Sequence, residues 1–431
     1  MLKRSAFLGC LFALAAGAAD VWQVSDVSMK SHAPWENLVD VDFTLTAPDG
    51  AASDAVARLE VFASNGVERV KCSAANVNTF YFGAGRQRLV WNPIADNPGR
   101  SFGHLTLTLG IADADAFDEV WYMTVRLGDG HLDYHGLDFK DRVNQNVYKR
   151  DLMAFRRCPA TTSDEWTNKS DGKDYFEMGV SDPDNVMSSR NAAAVKVRLT
   201  HDFWLGVFPV TWGQWKALGF QKPSESDRNL SYSCLSNDFN AAMGIRYAQI
   251  RGADGANSQY CFPDKRGVDP ESYMGILRDR TKRSFDLPTE AQFEYATRAG
   301  TTGKWYWDGL YLNQTLPEPH PTWEVGHGYR VGPNAWGFYD MVDAVHQWTT
   351  TLGRNEGDTA YLAHTAGDDP EGTTPTWKEP KRIVRGTHCY GDTSYAQSAY
   401  RMSQSSGTVK PSELQYNGFR VCLTLGSENV K

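Results

Sequence analysis

The chain has 431 residues, of which 41% are hydrophobic and 12% aromatic, so it can bury substantial cores and is not a disordered tail. At about 100 to 200 residues a domain, this length predicts two or three domains. The 44 Lys and Arg against 52 Asp and Glu give a formal net charge of -8, with no long basic run. We therefore expect no nucleic-acid partner, because such partners require many phosphate-neutralising side chains.

Residues 1–19 have the pattern of a signal peptide and are left out of the fold prediction. A pair of basic residues precedes a short apolar stretch, and small residues follow at 16–18, where signal peptidase would cleave. A lipoprotein motif ending at Cys10 is the alternative, but the apolar run before it is short and continues past it. No other stretch approaches the ~20 apolar residues of a membrane helix. The sequence predicts an exported protein without a membrane span, whether periplasmic, cell-surface or secreted.

Export changes how the cysteines are interpreted, because disulfides form in oxidising compartments. No CxxC pair or Cys/His cluster at zinc spacing is present, so disulfides or buried thiols are expected and their pairing stays open. The six cysteines outside the signal peptide are Cys72, Cys158, Cys234, Cys261, Cys389 and Cys422.

Residues 20–128 show the pattern of short strands separated by turns. Apolar and polar residues alternate from Val39 to Leu45 and again from Leu105 to Ile111, which places one face of each strand in a core. Asn65-Gly66 between two apolar runs predicts a hairpin. Several such strands predict a small β-sandwich, immunoglobulin-like, that serves as a spacer or adhesion module.

Residues 129–151 are polar and charged, which is typical of a connector. Beyond them, residues 152–431 form a second domain in which strands are scattered and loops are long. Short helices mixed with irregular strands predict an α+β fold for this domain.

Two helix starts stand out in the second domain. Thr211 is followed three residues later by Gln214, and Thr289 by Gln292, the signature of a capping box at a helix N-terminus. Gly300 lies where the residue after a helix C-cap is expected.

Four motifs in order make residues 152–425 resemble the formylglycine-generating enzyme family, also called the sulfatase-modifying-factor family. The resemblance implies a loop-rich, C-type-lectin-like fold. The motifs are Phe176 to Gly179, Leu287 to Ala296, Pro333 to Met341, and Arg385-Gly386 followed by Gly418 to Arg420.

The resemblance implies a copper-dependent oxidase that acts on a protein cysteine. In active members, two cysteines with four residues between them follow the Arg-Gly motif and resemble a thiolate pair that binds copper(I). Here Arg385-Gly386 and Ser394-Tyr395 set the register, and the two cysteine positions become Gly391 and Ala396. Neither side chain can bind a metal. We therefore expect no bound copper and no oxidase activity, with a rearranged copper site on Cys389 as the alternative.

The family also has a loop that resembles a calcium site, and this chain departs from it. The usual Asn becomes Ala344 and the usual Glu becomes Gln347, while Asp340 and Asp343 still offer the carboxylates that calcium prefers. A metal-free loop packed on Trp348 is the favoured interpretation, and bound calcium is the alternative.

The altered stretch from Thr387 to Gly407 contains no Leu, Ile, Val, Lys or Glu and interleaves tyrosines with serines. This mixture is typical of binding surfaces such as antibody loops. It predicts a ligand-binding or display surface for a protein, peptide or glycan, with an ordinary polar loop as the alternative. The expected contact residues are Tyr390, Asp392, Tyr395 and Tyr400.

The family fold further implies that the strands carrying Cys158 and Cys422 are neighbours, in which case these cysteines would form a disulfide. Two functions remain open from the sequence. The chain is either a non-catalytic binding module or a formylglycine-generating oxidase with a rearranged copper site.

Overall fold

The computed structural model describes residues 21–32, 37–51, 55–73, 76–100, 105–111, 120–166, 172–180, 194–224, 232–255, 257–307, 323–327, 332–342, 344–353, 366–372, 380–388, 395–407 and 414–425. The chain divides into two compact units, Met1–Met123 with Asp133–Phe139, and Thr124–Leu132 with Lys140–Lys431. In these ranges no helix has the length and apolarity that a membrane crossing requires. The expected signal peptide lies outside the described residues.

The N-terminal unit is built mainly of β-strands. Its elements, with the hairpin that is divided between the two units, are β1 Gln23–Ser31, β2 Val39–Thr46, β3 Val56–Ser64, β4 Arg69–Val70, β5 Tyr81–Gly83, β6 Gly85–Trp91, α1 Pro93–Asp96, β7 Thr106–Ile111, β8 Tyr122–Arg126 and β9 Leu132–His135.

Two sets of strands in this unit share one hydrophobic core. β2 pairs with β1 and β6, whereas β3 pairs with β4, β5 and β7, all antiparallel. The alternating residues Val41, Phe43 and Leu45 of β2 are buried, and Phe43 meets Phe82 of β5 edge-on at 5.0 Å between ring centroids. The alternation in the sequence therefore predicted the inward face of β2 correctly, and the β-rich N-terminal region is present.

The hairpin expected at Asn65-Gly66 joins β3 to β4. The side-chain oxygen of Asn65 accepts hydrogen bonds from the backbone N–H groups of Val67 and Glu68 at 3.0 and 2.9 Å. Gly66 has φ +88°, a conformation that glycine adopts without a steric penalty. Turn chemistry fixes this hairpin locally, so the sequence was sufficient to predict it.

The segment interpreted as a connector, residues 129–151, contains regular structure. It includes β9 and the 3-10 helices Leu137–Asp141 and Asn146–Lys149, and it buries Phe139 and Val143. Its polar composition concealed these elements, because most of its apolar residues are spaced singly.

The C-terminal unit is a mixed α+β structure with many strands and few helices. Its further elements are β10 Leu152–Cys158, β11 Phe176–Met178, β12 Val195–Arg198, β13 Phe203–Gly206, α2 Trp212–Ala217, α3 Tyr232–Leu235, α4 Tyr247–Arg251, α5 Tyr273–Thr281, α6 Glu290–Arg298, β14 His346–Gly353, β15 Gly367–Asp368, β16 Lys381–Arg385, β17 Arg401–Ser405, β18 Asn417–Phe419 and β19 Cys422–Thr424.

Helix α6 is buried within this unit. β16 pairs with β14 and β17, and β14 also pairs in parallel with β18. α6 packs on β11, β14 and β16, and all nine of its residues are buried. The α+β class predicted from the scattered strands and short helices is confirmed.

Both expected capping boxes are present. The Thr211 hydroxyl accepts from the N–H of Gln214 at the start of α2, and the Thr289 hydroxyl accepts from the N–H of Gln292 at the start of α6. In each case the glutamine side chain accepts from the N–H of its threonine. The C-cap of α6 is Ala299, and Gly300 follows it with φ +93°, at the position expected for the residue after the C-cap.

The disulfide implied between Cys158 and Cys422 is not formed, and that expectation was wrong. β13 lies between the two strands and pairs with both. With strands about 4.8 Å apart, residues on either side of a middle strand are roughly 10 Å apart, beyond the ~7 Å limit for a disulfide. Both residues are free thiols, and burial raises the pKa of each.

The first prediction concerns the cap of α6. Thr289→Ala removes the acceptor for the N–H of Gln292 and should lower the free energy of unfolding by about 1 kcal/mol. Thr289→Ser keeps a hydroxyl there and serves as the matched control, retaining most of that stability. Urea denaturation measures both, and equal losses in the two variants would contradict a role for the cap.

Candidate functional site

The candidate site is centred on Arg385, the last residue of β16. Gly386 follows it with φ +72°, and a Cβ at that position would lie 2.8 Å from the carbonyl oxygen of Met341. Glycine is therefore required there by backbone conformation and by space. In the Arg-Gly motif, therefore, Arg385 supplies a cation, and Gly386 allows the backbone to pass close to Met341.

The Arg385 guanidinium donates four hydrogen bonds inside the protein. Nη1 binds Glu290 Oε1 at 3.1 Å and Nη2 binds Glu294 Oε2 at 2.6 Å. The same two nitrogens donate to the backbone carbonyls of Ala399 and Ser398 at 3.1 and 2.8 Å. One side chain therefore fastens β16 to helix α6 and to the segment before β17.

The two carboxylates lie one helical turn apart on α6 and so face the same side. Glu290 also pairs with Arg401, the first residue of β17. Glu294 accepts from Arg298 Nε at 2.8 Å and from the N–H of Gly179 at 2.7 Å. Each carboxylate thus meets cations from two different parts of the chain.

These five charged side chains are nearly excluded from solvent, with relative exposures between 0% and 7%. Burial by itself raises the pKa of Glu294, but the guanidiniums of Arg298 and Arg385 outweigh burial and hold that pKa below its ordinary value of 4.5. Three guanidiniums meet two carboxylates, so the network carries one excess positive charge. We refer to Glu290, Glu294, Arg298, Arg385 and Arg401 as the buried ion network.

The stretch expected to form a ligand surface contributes instead to the interior over part of its length. Ala396 belongs to the hydrophobic core cluster around α6, and Ser398 and Tyr400 are also buried. Tyr400 is only 3% exposed, so its prediction as an exposed contact was wrong. Its ring packs on that of half-buried Tyr395 at 5.1 Å between centroids.

The remaining expected contacts, Tyr390 and Asp392, lie outside the described residues. The same is true of Gly391, which is one of the two cysteine positions, and of Cys389. The described ends of this gap are His388 and Tyr395.

The loop that resembles a calcium site is organised by Arg420. Its guanidinium donates to Gln347 Oε1 at 2.7 Å and to the carbonyls of Val207 and Tyr339. Gln347 Nε2 in turn donates to the carbonyl oxygen of Asp340 at 3.0 Å. The side-chain amide of Gln347 therefore links the guanidinium of Arg420 to the backbone of Asp340.

The Asp340 carboxylate is buried and accepts from the N–H of Gly326 at 2.6 Å. Burial raises the pKa of Asp340, and the hydrogen bond from Gly326 and the nearby guanidinium of Arg420 oppose that shift. Asp343 lies outside the described residues. Within the described ranges, no group of three or more His, Cys, Asp or Glu side chains is placed to hold a metal ion.

A pair of histidines flanks the Arg-Gly motif. His346 begins β14 and His388 follows Gly386 by two residues, and their ring centroids are 5.1 Å apart at an interplanar angle of 81°. Burial, and then the neighbouring His388, lower the pKa of His346 to about 4. His346 is therefore a neutral imidazole at pH 7.

One small pocket lies between Trp166, Tyr175 and Arg298. Its volume of ≈ 30 Å³ provides room for a few water molecules.

The sequence identified Arg385-Gly386 and α6 as motifs but missed what they do together. Glu290 and Glu294 were read only as parts of a helix start, although two carboxylates at i, i+4 in an otherwise buried helix predict cationic partners. His346 carried no local signal, because its partner His388 is far away in the sequence.

Residues 172–425 match the family model described as "Sulfatase-modifying factor enzyme 1-like domain". The chain belongs to the sulfatase-modifying-factor family. The match includes every residue of the buried ion network, as well as Gly386 and Arg420. Among the curated proteins none matched the chain.

Two solved structures are similar to part of this chain. PvdO from Pseudomonas aeruginosa is 18% identical, with a TM-score of 0.42, and the alignment covers 63% of this chain and 94% of PvdO. Treponema denticola variable protein 1 is 18% identical, with a TM-score of 0.40, and the alignment covers 63% of this chain and 95% of that protein.

The second prediction follows from the lowered pKa of Glu294. The unfolded chain takes up the proton first, so the stability due to this carboxylate is complete above pH 4.5 and is lost as the pH falls through the lower, folded-state pKa. Urea unfolding at a series of pH values should show a steeper loss below pH 4.5 in the wild type than in Glu294→Gln. Parallel pH profiles for the two proteins would contradict the pairing.

Proposed function

We propose that this chain is a non-catalytic member of the sulfatase-modifying-factor family that acts as an exported binding module. The observation that carries the proposal is Ala396. At the position where the family resemblance calls for the second copper-binding cysteine, this chain has a methyl group that packs in the core around α6. The scaffold that surrounds this position is retained, whereas the side chain that the chemistry requires is replaced.

Copper does not fit the residues at the two family positions. Gly391 and Ala396 offer no side-chain donor atom, and soft copper(I) requires sulfur or imidazole ligands. An oxidase mechanism that depends on a thiolate pair at these positions is therefore not part of the proposal.

The proposed ligand surface is the part of the stretch around residues 389–394, bounded by His388 and Tyr395. Both of these bounding residues are half-buried and so retain solvent-accessible atoms. Tyr390 and Asp392 remain the proposed contacts, whereas Tyr400 belongs to the supporting core. A Tyr-rich and Ser-rich surface suits a protein, peptide or glycan ligand, and the net charge of -8 disfavours nucleic acid.

Export through the signal peptide at residues 1–19 is part of the same proposal, because a display or adhesion role requires a location outside the cytoplasm. The N-terminal strands would then hold the family domain away from its point of attachment.

The third prediction separates the module from an oxidase. Titration of the full-length protein with copper(I) should give the same stoichiometry in the wild type and in Cys389→Ser, because the paired thiolates are missing and the proposal includes no thiol ligand. Cys389→Ser is the matched variant. If the wild type binds one equivalent of copper(I) and this variant does not, the proposal of a non-catalytic binding module is wrong. The result would then favour an oxidase with a rearranged copper site.

The fourth prediction tests the surface with peptide and glycan arrays. Tyr390→Ala and Asp392→Ala should each abolish binding to the array ligand and change the free energy of unfolding by no more than about 0.5 kcal/mol. Tyr400→Ala should instead cost several kcal/mol, as large-to-small core substitutions do. Binding that survives in both Tyr390→Ala and Asp392→Ala would place the ligand elsewhere.

A further inference from the structure

The two histidines beside the Arg-Gly motif have a geometry that goes beyond the proposed binding function. His346 and His388 come from strand β14 and from the loop after β16, and a backbone bridge between Ala344 and His388 holds the two segments together. Their ring centroids are 5.1 Å apart and the rings are nearly perpendicular. Two imidazoles bound to one ion with bonds of about 2.0–2.1 Å in tetrahedral geometry have ring centres roughly 5 Å apart.

The hydrogen bond of His346 fixes which of its nitrogens carries a proton. Nδ1 lies 3.2 Å from the carbonyl oxygen of Gly386, and a carbonyl can only accept, so Nδ1 donates. The neutral ring then has its lone pair on Nε2. Histidines that bind metals commonly donate their other N–H to a backbone carbonyl in this way, which sets the tautomer and orients the ring.

The ring of His388 is oriented by stacking. It lies on Tyr416 with centroids 4.2 Å apart and an interplanar angle of 16°, and Tyr416 stacks in turn on Trp323 at 5.8 Å and 13°. His388 is half-buried, so solvent reaches this part of the unit. Both imidazoles are therefore held in place before any ligand arrives, as a preorganised site requires.

We propose that His346 and His388 together bind one divalent late transition-metal ion. Imidazole nitrogen suits zinc, copper, nickel and iron, which sets the class of ion. Because the described residues add no third His, Cys, Asp or Glu, water or a ligand atom would complete the coordination. The site is distinct from the cysteine-based copper site of the family, since it uses nitrogen donors at other positions.

The test is a calorimetric titration of the full-length protein with Zn²⁺ alone. We expect one equivalent per chain and its loss in both His346→Phe and His388→Phe, which keep an aromatic ring and remove the nitrogen donors. His201→Asn is the matched control, because His201 is a solvent-exposed histidine of the same unit and its removal should leave the stoichiometry unchanged. Circular dichroism verifies that each variant is folded.

Three results would overturn the proposal. The first is the absence of stoichiometric Zn²⁺ binding, and the second is its survival in either folded phenylalanine variant. The third is loss only in Cys389→Ser, which would indicate a thiol site. If a phenylalanine variant does not fold, electron paramagnetic resonance of the Cu²⁺-loaded wild type decides the matter. Hyperfine coupling of the Cu²⁺ ion to two imidazole nitrogens supports the site, and coupling to fewer than two contradicts it.

Discussion

The hydrogen bonds and ion pairs made by the Arg385 guanidinium are the interactions on which the family domain depends. It joins the end of strand β16 to Glu290 and Glu294 on α6 and to two carbonyls just before β17. Buried charges are costly unless they are paired and hydrogen-bonded, so this side chain determines where three segments lie relative to one another. The planar fork of arginine can meet four acceptors at once, whereas the single ammonium of lysine cannot adopt that geometry.

The buried ion network and the core around Ala396 are formed by different side chains. The network joins carboxylates, guanidiniums and backbone groups, whereas Ala396 packs among the apolar side chains of the core around α6. In the loop that resembles a calcium site, the neutral side-chain amide of Gln347 bridges Arg420 and the backbone of Asp340.

Features set by neighbouring residues were predictable from the sequence, and features set by distant ones were not. The cap at Thr289, the Asn65-Gly66 hairpin and the inward face of β2 are decided within a few residues, and all were predicted correctly. The failed disulfide depended on which strand separates Cys158 from Cys422, and the burial of Tyr400 depended on the packing around α6. Composition alone cannot distinguish a tyrosine that binds a ligand from one that supports a loop.

A double-mutant cycle between Arg385 and Glu294 tests the central claim most directly. The free energies of unfolding of Arg385→Met, Glu294→Gln and the double variant should reveal a coupling of about 2–3 kcal/mol, because the two side chains share a buried bond. The exposed pair of Arg88 and Asp42 in the N-terminal unit serves as the reference and should couple by less than about 1 kcal/mol. Additivity within about 0.5 kcal/mol at Arg385 and Glu294 would contradict the account.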